Sequence, residues 1–191
     1  MGKGPKTRIS KRQQAANKKA GLIELWTDGS FFDQTGAAGG AGIYTNSDGK
    51  RPSVLCWTFN NSEFDISLSG EAELWAATIA LENAEPQNVG MLYSDCPFVH
   101  SRINDIRAGT LNRKRYDSEL YARLEKALSR QPQMATKWVK RDVRFLPIAN
   151  AFAQSAAQED IEEMNTQMRR FRIDRDSFYE ARPGAKTPLN G

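Results

Sequence analysis

The sequence predicts a mixed α/β domain, in which a sheet with parallel and antiparallel strands is covered by helices. Three strand-like segments come first, at about residues 21–28, 40–46 and 53–59, and short connections join them. Helices and strands then alternate, which is the order typical of an α/β sheet. The 39% share of apolar residues is enough to form the core of a domain of roughly 130–150 residues.

The first three strands are indicated by apolar residues and by a glycine-rich connection. A largely apolar run at 22–25 leads to Asp28, as expected for a buried strand. Gly29 has no side chain, so another backbone, such as the sugar-phosphate backbone of a nucleic acid, can approach there. Small residues at 36–42 precede the second strand, and Trp57 lies near the end of the third.

A helix is predicted over 71–82, because residues that favour helix dominate this segment. Ser69 is the predicted N-cap. Residues at helical spacing form a stripe suited to packing on a sheet, namely Leu74, Ala77, Thr78 and Leu81.

The second half of the domain alternates strand and helix. We predict strands at 90–94 and 135–140, and helices at about 98–106, 117–130 and 150–157. The last of these helices follows a loop that contains Pro147. All four tryptophans fall in predicted strands or in the first helix and are interpreted as core residues, namely Trp26, Trp57, Trp75 and Trp138.

Charge divides the chain into parts. Residues 1–20 hold seven of the 27 basic residues and no acidic residue, whereas the rest of the chain carries 20 basic and 23 acidic residues. We interpret 1–20 as a disordered basic arm, 21–158 as the folded domain and 159–191 as a C-terminal helix and tail. The arm either holds phosphate backbones without sequence preference or acts only as a solubilising tail.

The sequence argues against a membrane protein and against a disulfide-stabilised secreted protein. No apolar run approaches the roughly 20 residues of a membrane span, and no signal-peptide core is visible. The two cysteines, Cys56 and Cys96, fit a reducing compartment. We therefore expect a cytoplasmic protein, and we expect it to be a monomer.

Three carboxylates occupy positions that suit a metal site. Two predicted strands lead into an aspartate, Asp28 and Asp95, and Glu73 lies in the first turn of the predicted helix. If the two strands are neighbours, the three side chains converge, repel one another and need cations to stay ionised together. Such a site suits two-metal phosphodiester hydrolysis with Mg²⁺. The alternative is three unrelated acids at the ends of strands and helices.

Four motifs follow one another along the chain, namely Trp-Thr-Asp-Gly-Ser at 26–30, Glu-Ala-Glu-Leu-Trp-Ala-Ala-Thr-Ile-Ala-Leu-Glu at 71–82, Tyr-Ser-Asp at 93–95 and Trp-Val-Lys at 138–140. Over about residues 21–158 the chain resembles type 1 ribonuclease H. The resemblance implies a ribonuclease H-like fold, with a five-stranded mixed sheet flanked by helices. It also implies hydrolysis of the RNA strand of RNA/DNA hybrids with Mg²⁺ or Mn²⁺. It makes Asp28, Glu73 and Asp95 the catalytic metal ligands, with Asp28 bridging two ions.

One position departs from the family pattern. The family has a fourth carboxylate at the start of the last core helix, where this chain has Asn150. An amide oxygen still ligates a hard cation but carries no charge. We expect Asn150 to complete the catalytic set of metal ligands, with weaker binding of the water-activating ion and a preference for Mn²⁺.

The loop before Asn150 is a second departure. Many family members carry a mobile histidine there that aids product release, whereas residues 141–147 contain no histidine. Arg141 or Arg144 either serves phosphate instead or is a solvated loop charge. His100 is interpreted as a structural or surface residue.

Two groups of residues are predicted to bind the hybrid. The family's binding protrusion maps onto about 107–116. Its basic residues would add affinity that falls with salt, unless they are only a solvated cluster, namely Arg107, Arg113, Lys114 and Arg115. Small residues beside the acids are placed to sense 2′-hydroxyl groups, namely Gly29, Ser30, Ser69 and Gly70.

Three functions are alternatives to ribonuclease activity. The first is a catalytically weakened or inactive nucleic-acid-binding module on the same fold. Three intact carboxylates argue against it, because a cluster that repels phosphate gains nothing for binding alone. Another nuclease on this fold would lack the combination of the first two motifs, and an interaction protein with chance acids would show no dependence on divalent metals.

Overall fold

A computed structural model of the chain describes residues 20–45, 52–59, 64, 66–112, 118–173 and 178–180. Within these residues the strands are β1 (Ile23–Phe32), β2 (Ala37–Thr45), β3 (Ser53–Phe59), β4 (Val89–Ser94), β5 (Ala135–Trp138) and β6 (Phe178–Glu180). The helices are α1 (Ser69–Asn83), α2 (Pro97–Arg107), α3 (Glu119–Ser129), α4 (Leu146–Ala157) and α5 (Ile161–Phe171).

The strands form one mixed sheet in the order β5-β4-β1-β2-β3-β6. The pairs β1–β2 and β2–β3 are antiparallel, whereas β1–β4 and β4–β5 are parallel. The predicted five-stranded mixed sheet is confirmed. The short strand β6 extends it by pairing parallel with β3.

Alternate residues along the strands supply two apolar cores, one on each face of the sheet. Leu25 of β1 and Leu92 of β4 belong to the core that α1, α2 and α3 cover. Trp26 and Tyr93, one position further along, belong to the core that α4 and α5 cover. Burying both faces in this way explains why β1 and β4 read as nearly continuous apolar runs.

Two glycines let helices reach the sheet from its two faces. A Cβ atom on Gly29 would lie 2.4 Å from backbone atoms of Ala72 in α1, and one on Gly39 would lie 2.4 Å from the backbone nitrogen of Ala157 in α4. Neither position accepts a side chain without moving a helix. The backbone that approaches Gly29 is therefore that of α1, and the prediction that this glycine admits a nucleic-acid backbone is wrong.

Two helix starts differ from the sequence prediction. Helix α1 begins at Ser69, so Leu68 is its N-cap residue and the prediction that Ser69 caps the helix is wrong. The Glu71 carboxylate accepts hydrogen bonds from the backbone N–H groups of Ser67 and Leu68 instead. Helix α4 begins at Leu146 rather than at 150 and includes Pro147 in its first turn, a position that proline tolerates because no hydrogen-bond donor is needed there.

Helix α5 follows α4 closely and packs against it. Its N-cap Asp160 accepts a hydrogen bond at 2.8 Å from the backbone N–H of Glu163, which stabilises the first turn. In the described part of the chain, none of the helices has the length and apolar character needed to cross a membrane.

Candidate metal-dependent active site

Parallel pairing of β1 and β4 brings two aspartates to the same edge of the sheet. Trp26 is the register partner of Tyr93. Asp28 and Asp95 each lie two residues beyond that pair. Asp95 directly follows β4, whereas Asp28 lies within β1, which continues to Phe32, so the prediction that the first strand ends at Asp28 is wrong. The condition set in the sequence analysis, that the two strands are neighbours, is met.

Glu73 joins the aspartates from the helix above. Because Gly29 has no Cβ, α1 packs directly on β1, and the Gly29 backbone N–H donates to Glu73 Oε2 at 3.1 Å. This bond fixes the glutamate beside Asp28. Gly29 is buried and its N–H group is used in this bond; that it senses the 2′-hydroxyl groups of a substrate stays a prediction.

The three carboxylates form one compact cluster. One oxygen from each of Asp28, Glu73 and Asp95 lies within 4.8 Å of the others. The residue surface of Asp28 is 0% exposed and that of Glu73 is 4% exposed. Both oxygens of Asp28 and Oδ1 of Asp95 are buried without a hydrogen-bond partner among the described residues.

Burial raises the pKa of two carboxyl groups of this cluster and so disfavours their ionised forms. Loss of hydration, opposed by the nearby Arg141 and supported by repulsion from Asp95, raises the pKa of Asp28 to about 7. Burial, followed by repulsion from Asp28 and Asp95, raises the pKa of Glu73 well above its usual value. A cation among the carboxylates would remove this penalty.

These features fit a divalent metal ion. Hard cations such as Mg²⁺ and Mn²⁺ prefer carboxylate oxygens. The buried oxygens of Asp28 and Asp95 that lack a partner are suitable ligands. We therefore take Asp28, Glu73 and Asp95 as the residues that would hold the metal.

Asn150 lies on the face of the sheet that Asp28 also faces. Asp28 lies two positions after Trp26 on β1, so the two side chains point to the same face of the sheet. Trp26 packs in the core with Ala149 and Phe152 of α4. Asn150 lies between these two helix residues in the sequence, and its side chain is half-buried. Its Oδ1 accepts a long hydrogen bond of 3.4 Å from Gln154, one turn further along α4, so the carbonyl oxygen is only weakly held where it lies.

A ribonuclease H family model matches residues 20–162 of the chain. The chain belongs to the ribonuclease H family. Membership confirms the predicted activity, which is hydrolysis of the RNA strand of RNA/DNA hybrids, and the predicted dependence on divalent metal ions. A comparison with curated protein sequences finds no match.

Solved ribonuclease H structures share the fold. The RNase H1 of the halophilic archaeon Halobacterium salinarum is 18% identical, with a TM-score of 0.58 over 73% of this chain and 99% of its own. The N-terminal RNase H domain of Rv2228c from Mycobacterium tuberculosis is 16% identical, with a TM-score of 0.56 over 71% of this chain and 98% of its own. A foamy viral protease-reverse transcriptase, solved in complex with an RNA/DNA hybrid, is 11% identical, with a TM-score of 0.56 over 83% of this chain and 22% of its own.

The other residues predicted to bind substrate have different settings in this ribonuclease H. Ser30 is half-buried on β1, Ser69 is exposed in the first turn of α1, and Gly70 is half-buried beside it. These three stay predictions. The basic residues Arg113, Lys114 and Arg115 lie outside the described residues.

Arg107 belongs to the framework instead of the substrate surface. Its guanidinium donates to the backbone carbonyls of Met134 at 2.5 Å and Gln131 at 3.2 Å. It therefore ties the end of α2 to the turn before β5.

Sequence reasoning missed the contacts between the end of β5 and Asp95. Trp138 is 51% exposed, so its assignment to the core is wrong, while the other three tryptophans are buried as predicted. Its indole N–H donates to the backbone oxygen of Asp95 at 2.7 Å, and Nε of Arg141 donates to Asp95 Oδ2, also at 2.7 Å. The available signal was that Asp95 directly follows one predicted strand and that Trp138 lies in the second half of the next.

His100 and Cys96 have structural settings. One ring nitrogen of His100 lies 3.2 Å from the backbone oxygen of Ser94, and burial lowers the pKa of this histidine. Burial raises the pKa of the Cys96 thiol, which disfavours the thiolate that a nucleophile needs. The setting of His100 agrees with its interpretation from the sequence as a structural or surface residue.

Proposed function

We propose that Asp28, Glu73 and Asp95 hold the divalent ions with which this ribonuclease H hydrolyses the RNA strand of RNA/DNA hybrids. The observation that carries the proposal is the compact carboxylate cluster, in which buried oxygens lack a protein partner. When bound, divalent ions supply an activated water and positive charge at the leaving oxygen. The protein contributes fixed ligand positions, since the Gly29 amide of β1 holds the Glu73 carboxylate of α1 beside Asp28.

We further propose Asn150 as a neutral fourth ligand. Its position on α4, on the sheet face that Asp28 shares, supports this role. A neutral ligand lowers the total negative charge of the site and hence its affinity for the water-activating ion. The proposal therefore includes a preference for Mn²⁺ over Mg²⁺. The monomeric state and the cytoplasmic location remain predictions.

The decisive experiment is cleavage of an end-labelled RNA/DNA hybrid in Mg²⁺, in Mn²⁺ and in EDTA. Single-stranded RNA, duplex RNA and duplex DNA serve as substrate controls. We expect internal cuts in the hybrid RNA alone, no cutting in EDTA, and faster cutting in Mn²⁺ than in Mg²⁺. Hybrid binding without cutting in either metal would favour the inactive binding module instead.

A matched pair of variants assigns the cutting to the cluster. Glu73→Gln removes the charge of one proposed ligand, whereas Glu162→Gln makes the same change at an exposed position of α5. We expect the first variant to lose cleavage and the second to keep it. Equal activity in the two variants would remove Glu73 from the site.

A further inference from the structure

The loop between β5 and α4 places one arginine directly on the metal site. Nε of Arg141 donates to Asp95 Oδ2 at 2.7 Å, and this side chain is 60% exposed whereas that of Asp95 is 12% exposed. The guanidinium has five N–H donors, and the contact with Asp95 uses the one on Nε. Most of the charged group therefore faces solvent beside a carboxylate that we assign to the metal.

The second arginine of the loop has a different task. Nη1 of Arg144 donates to Glu24 Oε2 at 2.9 Å, and its guanidinium lies over the rings of Trp26 and Phe145. The backbone of Arg144 has a φ of 49°, a left-handed conformation that such contacts must hold in place. Arg144 thus anchors the loop to β1, and Arg141 is the arginine that reaches the carboxylates.

We propose that Arg141 is an exchangeable counter-cation of the carboxylate cluster. It holds the Asp95 carboxylate while no divalent ion is bound, leaves that carboxylate when an ion binds there, and then binds a phosphate oxygen of the hybrid backbone. The inference rests on the proposed metal site. It adds a residue through which binding of a metal ion at that site changes the affinity for the RNA/DNA hybrid.

The charges and exposure support an exchange. The arginine of this ion pair is largely exposed, and ion pairs screened by solvent contribute little net free energy. Rupture of the pair therefore costs little compared with the gain from a divalent ion among three carboxylates. Once released, the planar guanidinium is suited to bidentate contact with phosphate. Rotation of the side chain is sufficient, because Arg144 keeps the loop backbone attached to β1.

The first test measures binding of Mn²⁺ to the free protein by electron paramagnetic resonance of the unbound ion. Arg141→Met removes the competing cation, and we expect Mn²⁺ to bind about twofold to fivefold more tightly, the range that corresponds to an exposed ion pair. Lys140→Met is the matched control, since it removes an exposed charge at the neighbouring position. Unchanged or weaker Mn²⁺ binding in Arg141→Met, or an equal gain in both variants, would overturn the exchange.

The second test measures how hybrid binding depends on salt, in EDTA and in Ca²⁺ under conditions in which a gel shows intact RNA. In EDTA we expect Arg141→Met to bind like the unmodified protein, because Arg141 is held by Asp95. In Ca²⁺ we expect weaker binding and a salt slope reduced by about one, the value for one lost phosphate contact. An equal loss in both solutions would show that Arg141 contacts phosphate without leaving Asp95, and no loss in either would show a purely structural pair.

The same assays separate this inference from the proposed function. If the unmodified protein binds neither Mn²⁺ nor the hybrid, the proposed metal site fails. If it binds both and Arg141→Met changes nothing, only the exchange fails. Circular dichroism of each variant confirms that the fold is kept, as expected for a substitution at an exposed side chain.

Discussion

Buried polar groups at the two ends of strand β4 differ in whether the protein supplies their hydrogen-bond partners. At its start, Gln131 is 0% exposed, and its side chain is fully used. Oε1 accepts from the backbone N–H of Val89 at 3.1 Å, and Nε2 donates to the backbone oxygen of Glu85 at 2.7 Å. Near this glutamine, Arg130 donates to the backbone oxygens of Glu82 and Ala84.

At the other end of β4, Ser94 and Glu73 accept hydrogen bonds from backbone N–H groups, but other buried polar atoms have no partner. Both oxygens of Asp28 and one of Asp95 make no hydrogen bond within the described residues, and the pKa of Asp28 is raised to about 7. A buried polar atom without a partner costs about 1–3 kcal/mol, and a charged one costs more. The contrast indicates that side chains and backbone satisfy the buried polar groups at the first end, whereas the unpartnered oxygens at the second end are suited to bind ligands.

The largest expected effect comes from Asp28→Asn, which removes charge at the incomplete end. Cleavage should fall by at least about 10³-fold, because a shared metal ligand is lost. The free energy of unfolding in EDTA should stay equal or rise, because a buried carboxylate without a partner has been replaced by a neutral group. Hybrid cleavage and urea unfolding in EDTA measure the two quantities.

Asp33→Asn is the matched control, since Asp33 is exposed in the turn between β1 and β2. It should change neither quantity. A large loss of stability in Asp28→Asn would mean that the aspartate holds the fold together, and the contrast between the two ends of β4 would then be lost.

Gln131→Ala tests the completed end. It leaves the Val89 N–H and the Glu85 carbonyl without their partner, and we expect a loss of about 2–4 kcal/mol in the free energy of unfolding. The rate of hybrid cleavage per folded molecule should stay unchanged, because Gln131 lies at the far end of β4 from the carboxylates. Reduced cleavage in fully folded protein would show that the two ends are coupled.

The pH dependence of the free energy of unfolding tests whether Asp28 at the second end of β4 is buried without a partner. Its pKa is about 7 in the folded protein and 3.8 ordinarily, so between these values the folded state binds a proton that the unfolded chain has released. The free energy of unfolding in EDTA should therefore fall as the pH rises from about 4 to about 7. Glu73, whose pKa is also raised, adds in the same direction.

Urea unfolding at about pH 5 and about pH 8 measures this effect. Asp28→Asn should flatten the dependence. Added Mg²⁺ should stabilise the protein more at the higher pH, because metal ions bind the deprotonated ligands. Stability in EDTA that rises with pH would contradict the assignment of the raised pKa values.

The sequence was sufficient for those parts of the site that follow from strand and helix pattern. Asp28 and Asp95 meet because β1 and β4 are parallel neighbours, and Glu73 meets them because it lies near the start of the helix packed on β1. Hydrophobic periodicity predicts the strands and the helix themselves, whereas the meeting of the three carboxylates was only conditional on that basis and was implied by the resemblance to ribonuclease H.

The sequence was insufficient where contacts depend on loop conformation. The contact of Arg141 with Asp95 requires the loop geometry that Arg144 and Glu24 fix across 120 positions of the chain. Trp138 resembles a core residue by type, but it ends the edge strand β5 and uses its indole N–H on the Asp95 backbone. Periodicity carries no information about either contact.

The smallest expected effect concerns Asn150, where the incomplete end meets α4. Asn150→Asp adds a charge next to the ions and should keep cleavage or raise it by up to about tenfold, chiefly in Mg²⁺, because a charged ligand binds a hard cation more tightly. In EDTA the variant should unfold more easily at neutral pH, since a further carboxylate joins the buried cluster. Rates in Mg²⁺ and Mn²⁺, together with urea unfolding, give both readouts.

Gln158→Glu provides the control, because it places the same added charge at an exposed position at the C-terminal end of α4. It should leave the ratio of the Mg²⁺ and Mn²⁺ rates unchanged, whereas Asn150→Asp should shift that ratio toward Mg²⁺. If Asn150→Asp lowers cleavage in both metals, the site is built around the amide. The neutral residue would then be a required feature of this ribonuclease H, because a fourth charge would hold the ions too tightly or displace Arg141.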